Sequence, residues 1–204
     1  MFQVEKIVGK NLSSNMFILF ETETSNCWVF DIGDFHSLKQ RLPLSINVKG
    51  LFITHGHFDH IADINLFHNT YPNSIIYTSE YGLEQLFSDK KNFSLYHEQS
   101  TFFTGKKEDI VILKDMDSIH LSNNTYLYVI ATPGHCPSCL TYYTDNYIFT
   151  GDSYIPNLKV VTNLPKGNKI QAQESLERIK ELAKNRIIYP GHGEIKTPFY
   201  VQTT

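Results

Sequence analysis

The sequence predicts an α/β fold built in layers. Two observations carry this reading. Eleven short apolar stretches of strand length alternate with four stretches of helical pattern. Four of the turns that close such stretches carry histidine or aspartate, and strand ends are where α/β sheets place their sites. The 204 residues, 41% hydrophobic and 19% charged, are enough to bury a core as one domain spanning 1–204.

The elements follow in order. Strands fit residues 3–8, 17–21 and 27–31, where Cys27 precedes Trp28-Val29-Phe30 and reads as buried. A helix at 35–40 leads to a strand at 50–54 and a helix at 58–68. A strand at 74–78, a helix at 79–87 and strands at 110–113, 118–121, 126–131, 140–144 and 147–150 come next. The last helix, 169–184, carries the stripe Ala172, Leu176, Ile179 and Ala183 for packing on a sheet, and a strand at 187–189 ends the series. There is no internal repeat and no low-complexity linker.

The densest chemistry lies at Thr54-His55-Gly56-His57-Phe58-Asp59-His60, between the apolar run 51–53 and a helix start. In extended backbone, residues two apart point the same way, so His55 and His57 can converge on one ion. Asp59 and His60 enter the turn, diverge from that pair and can serve a second ion. A polar helix cap explains Asp59 but leaves three histidines unexplained. Ligands split two ways call for others elsewhere, because a tetrahedral site takes four. Thr132-Pro133-Gly134-His135, Thr150-Gly151-Asp152 and Tyr189-Pro190-Gly191-His192-Gly193 each end a short apolar strand with a glycine turn and one ligand-type residue.

With these four motifs in order, the chain resembles the metallo-β-lactamase fold superfamily, and within it the glyoxalase II-like hydrolases. The likeness runs from about Val4 to Gly193. It implies a four-layer αββα sandwich of two mixed β-sheets with helices outside. It implies that His55, His57 and His135 hold one metal, that Asp59, His60 and His192 hold the other, and that Asp152 bridges both beside a hydroxide. The implied cofactors are two Zn2+ ions, with iron or manganese as alternatives. Asp59 also becomes the candidate catalytic residue, orienting the hydroxide and taking its proton. Asp31 matches a family position beside the site, in a supporting role. Where the family usually has Gly-Gly after the first cluster, this chain has Ala62-Asp63. With the sequence running to Thr204, the expectation is that the glutathione-binding helical domain of glyoxalase II is lacking. Zinc β-lactamases usually place a cysteine where Asp152 stands.

The implied activity is a dinuclear metal hydrolase acting on a small ester, thioester, lactone or phosphoester. A mononuclear iron sulfur dioxygenase of the same fold, using His55, His135 and Asp152, is the first rival. A metal-dependent nuclease is the second, and a net charge of −3 with no basic stripe argues against nucleic acid as a partner. The start of the chain has no apolar signal core and the run 16–20 is too short to span a bilayer, so the expectation is a cytoplasmic protein without a membrane partner.

Two segments bear on the substrate. Residues 153–168 leave Asp152 and include Tyr154, Lys159 and Lys166, with Lys169 just beyond. Tyr154 is expected to polarise a carbonyl, and the lysines to grip an anionic small molecule. Residues 88–109 mix lysines with Phe93, Tyr96, Phe102 and Phe103 and suit a lid, a dimer contact or a plain surface loop. Three cysteines exclude a disulfide scaffold. Cys136 and Cys139 read as a redox pair, a soft-metal site or small residues in a tight turn, the last being favoured. His36, His68, His97 and His120 read as surface or hydrogen-bonded residues.

Overall fold

A computed structural model describes residues 1–97 and 100–198. The first sheet runs β1 (Phe2–Val8), β2 (Asn15–Glu21), β3 (Asn26–Phe30), β4 (Asn47–Phe52), β5 (Ile75–Thr78) and β6 (Ile110–Ile112), in that spatial order. Its first three strands pair antiparallel and the rest parallel. The second sheet has the order β11 (Ile187–Pro190), β10 (Tyr147–Gly151), β9 (Leu140–Tyr143), β8 (Thr125–Ala131), β7 (Ser118–Ser122). Only its β10–β11 pair is parallel. Both sheets are therefore mixed. The strands lie where the apolar runs predict, with ends shifted by a few residues.

Strand alternation explains the layers. Phe17, Leu19, Trp28, Phe30 and Phe52 face the second sheet, where they meet Leu127, Val129, Tyr142 and Phe149. The Phe30 and Phe149 rings stack across the gap at 3.7 Å, 9° from parallel. The alternate residues Met16, Ile18, Cys27, Val29 and Leu51 face outward onto Leu38, Ile64, Phe67 and Leu86 of the helices. Ile130, Ile148 and Ile188 of the second sheet pack under Ile179 of the last helix. Three apolar seams thus separate four layers, αββα. These strands read as continuous apolar runs because both of their faces are covered.

The helices are α1 (Phe35–Arg41), α2 (Phe58–Ile61), α3 (Ile64–Thr70), α4 (Glu80–Leu86) and α5 (Lys169–Leu182). Side-chain caps start three of them. The Asp34 carboxylate accepts from Ser37 N, the Ser79 hydroxyl from Gly82 N, and Asn168 Oδ1 from Ile170 N and Gln171 N. The single helix expected over 58–68 is instead two, broken at Ala62-Asp63. Asp63 N donates to the Ile32 carbonyl at 3.1 Å, and its carboxylate accepts from Phe35 N at 2.7 Å. Tying Asp63 to the loop ahead of α1 takes it off the helical path (φ −106°, ψ 23°). Among the described residues, no helix is long and apolar enough to cross a membrane.

Candidate metal centre

The seven residues singled out in the sequence all lie on loops at one end of the sandwich. His55, His57, Asp59 and His60 follow β4 of the first sheet. His135, Asp152 and His192 follow β8, β10 and β11 of the second. The centre therefore spans both sheets. Two glycines make the approach possible. A Cβ on Gly191 would stand 2.2 Å from Asp152 Oδ1, and one on Gly134 (φ +132°) would stand 2.3 Å from the backbone of Ala172 in α5.

The donor atoms fall into groups. His55, His57 and His135 form one; Asp59, His60 and His192 form another; His55, His60 and Asp152 join them. Asp59 Oδ2 is 3.2 Å from His192 Nε2 and 3.4 Å from His60 Nε2, and those two nitrogens are 3.4 Å apart. His57 Nδ1 is 3.0 Å from His135 Nε2. Asp152 reaches both groups: Oδ2 is 3.6 Å from His135 Nε2 and 3.5 Å from His192 Nε2, and Oδ1 is 3.7 Å from His60 Nε2. Ligands about 2.0–2.1 Å from a tetrahedral cation stand about 3.3 Å from each other. The spacing here fits that edge.

Neighbours fix which ring nitrogens face inward. His135 Nδ1 lies 2.8 Å from the Val161 carbonyl and donates to it, which turns Nε2 to the centre. Asp31 accepts from Thr54 N at 2.7 Å, from Thr54 Oγ1 at 2.7 Å and from His60 Nδ1 at 2.9 Å. With its proton given to Asp31, Thr54 Oγ1 accepts from His55 Nδ1 at 3.1 Å. His55 Nε2 and Asp152 Oδ1 are buried and have no hydrogen-bond partner among the described residues. Unpartnered buried donor atoms aimed at a common point are what a cation site requires.

Charge agrees with geometry. Burial works against a charged His60, yet Asp59, Asp31 and Asp152 around it push its pKa up to about 10. Burial likewise opposes ionisation of Asp59, but His60 and His192 bring it down to about 2. His55 lies well below its ordinary value, through burial and the neighbouring histidines. One side of the cluster thus draws positive charge at His60, and on the other His55 is held neutral.

A cleft of about 540 Å³ opens over the cluster. His57, Asp59, His135, Asp152 and His192 form its floor, and Leu12, Phe58, Phe93, Tyr96, His97, Val161 and Leu164 are among its walls. The sequence reading missed most of this wall. His97, read as a surface or hydrogen-bonded residue, is exposed, and its ring lies over Phe58 with centroids 3.7 Å apart at the rim of the cleft. Phe93 packs on His57 at 5.0 Å. Ser14 and Asn15 were also missed. Ser14 Oγ donates to the Asp59 carbonyl at 2.7 Å, and Asn15 Nδ2 to the Pro190 carbonyl at 2.8 Å, so the turn before β2 seats two of the donor loops. No local motif marks either residue.

The expected substrate residues need correction. Tyr154 packs beside Ile148, Ile179 and Ile188 under α5, and its carbonyl accepts from Thr150 Oγ1. Lys159 lines a separate groove with Leu158, Thr162 and Ala172. Lys166 is exposed, and its neighbours Leu164 and Pro165 reach the cleft in its place. The loop turns its Val161 backbone, rather than its lysine heads, to the metal centre. Cys136 and Cys139 are free and buried, with sulfurs 3.3 Å apart. His68 stands 3.7 Å from Asp109, His36 meets Gln40, and His120 meets the Asn123 carbonyl. Part of the 88–109 segment, residues 98–99, lies outside the described residues.

A two-sheet sandwich with its donors on the loops at one end belongs with the metal-binding αββα proteins. Within that class the chain is a member of the metallo-beta-lactamase superfamily, whose family model matches residues 25–192. The hydroxyacylglutathione hydrolase of Buchnera aphidicola is 26% identical over 187 residues, 91% of this chain. The chain spans 65% of that relative's length. Among solved structures, the BLEG-1 B3 metallo-beta-lactamase superposes with a TM-score of 0.87 at 22% identity, covering 96% of this chain and 94% of its own. TTHA1623, solved in a di-iron-bound form, gives 0.76 at 19% identity over 95% and 94%.

Proposed function

We propose that this chain is a dinuclear metal-dependent hydrolase of small esters, thioesters, lactones or phosphoesters. The observation that carries this reading is the completeness of both donor groups, with the Asp152 carboxylate between them. His55, His57 and His135 would hold one divalent cation, Asp59, His60 and His192 the other. When bound, such a pair lowers the pKa of water and stabilises the oxyanion that develops on the substrate. The chain's own residues supply the rest. Asp59 borders the cleft as an ionised carboxylate, placed to accept a proton from water and to orient it. Asp31 and Thr54 hold His60 and His55 in the tautomers the centre needs.

The reading is tested by elemental analysis of the purified protein beside a panel of esters, thioesters, lactones and phosphodiesters. Two ions per chain and turnover of one substrate class are expected. One tightly held iron, with oxygen uptake in place of hydrolysis, would instead support the mononuclear dioxygenase.

A further inference from the structure

We propose that the cleft over the metal centre receives an apolar alkyl or aryl arm of the substrate, held by Leu12, Phe93, Tyr96, Val161 and Leu164. This deepens the hydrolase reading and rests on it for the reacting bond. The substrate class becomes a neutral ester, thioester or lactone with an apolar acyl part.

The wall is assembled from three loops far apart in sequence. Leu12 sits in the turn between β1 and β2, Phe93 and Tyr96 follow α4, and Val161 and Leu164 follow β10. Four of these five are well exposed: Leu12 63%, Tyr96 66%, Val161 49% and Leu164 37%. Single exposed apolar residues are ordinary, but a set gathered around one concave surface marks a binding site.

Backbone conformation gives an independent reason. Leu12 (φ 49°) and Phe93 (φ 70°) both occupy the left-handed region, which bulky side chains adopt at a cost. Both line this cleft. The surrounding structure enforces the strain. Gly9 N donates to the Ser14 carbonyl at 2.8 Å and closes the first turn. Phe58 N donates to the Asn92 carbonyl at 2.9 Å, and Asn92 Nδ2 to the Thr101 carbonyl at 2.7 Å, which holds the second. Asparagine or glycine would fit either position with less strain, but would leave a gap in the wall.

Charge points the same way. Among the described residues, no lysine or arginine lines the cleft. Lys10 lies in an adjoining groove that shares Leu12, Phe58 and His97. A carboxylate at the end of an acyl arm would lose hydration against these side chains without gaining a partner.

The experiment uses a series of straight-chain acyl thioesters with two to eight carbons and one small neutral leaving group. Methyl ketones of the same lengths serve as non-hydrolysable probes, read by calorimetry on metal-loaded and metal-free protein. Ketone affinity is expected to rise about fourfold per methylene over the first several carbons, in both forms of the protein. A terminal carboxylate on the arm should cancel the gain. Leu12→Ser and Leu164→Ser should flatten the slope, with metal content measured in parallel as the check on folding. Affinity that does not change with chain length, or that improves with the terminal carboxylate, would overturn the proposal. The two readings fail separately. A length-dependent affinity without any turnover would sink the hydrolase and keep the apolar site. Turnover indifferent to the arm would keep the hydrolase and sink the site.

Discussion

The two donor groups share one cleft floor but are held in place by different means. His55 and His135 are fixed by neutral acceptors, the Thr54 hydroxyl and the Val161 carbonyl, and all three histidines of that group are buried. His60 is backed by the Asp31 carboxylate and faces Asp59, while the His192 side chain is 23% exposed. The first group is organised by shape and the second by charge. Shape survives changes in charge, whereas a charge-organised site weakens when one carboxylate is lost or when solvent reaches it.

The largest expected effect comes from a residue shared between the donor sets, as His55 and His60 both are. His55 belongs to two of the donor sets. His55→Ala should lower turnover by about a thousandfold or more and reduce bound metal below one ion per chain. Retention of two ions by this variant would show that the groups are independent.

Asp59→Ala should cost about a hundredfold in kcat, while the first group keeps its ion. Stoichiometry and rate measured on the same sample check it; near-normal turnover would remove Asp59 from its proposed role. A smaller effect separates the two kinds of support. Asp31→Asn removes the charge behind His60, so affinity at the second group should fall about 10–100-fold, and the first group, which meets Asp31 only through Thr54, should fall less. A chelator titration of the wild type should then show two steps, the more exposed His192 group emptying first. Loss of both ions in one step would mean that the difference in support has no energetic consequence. The smallest effect belongs to Lys166→Ala. An exposed lysine outside the cleft lining should change stability by less than about 0.5 kcal/mol and leave kcat/KM for neutral and anionic substrates unaltered.

The same division describes how far the sequence could be read. The donors after β4 stand within six consecutive positions, so their chemistry is visible without a fold. Gly134, Gly151 and Gly191 mark the other three loops because close backbone approach demands glycine there. The strands were visible because apolar runs covered on both faces leave few polar interruptions. The break between α2 and α3 was not, since Asp63 is claimed by the loop ahead of α1, a partner nearly thirty residues away. The cleft wall was hidden for the same reason. Leu12, Phe93 and Val161 meet only through the fold, and nothing near them in the chain announces it. Lys159 and Lys166 misled because adjacency to Asp152 in sequence says nothing about which way the loop turns.

The parallel pairing of β10 with β11, which brings His192 beside Asp152, also sets a timetable. During synthesis, at roughly 5–20 residues per second, His60 is made about seven to twenty-six seconds before His192. Through that interval the early histidines have no partners, and closing so long a loop is slow and entropically costly. The second donor group is therefore complete only in the finished sandwich. On the dinuclear reading, its ion would be chosen after folding, by the metals then on offer to the completed protein, rather than by whatever first meets the nascent chain.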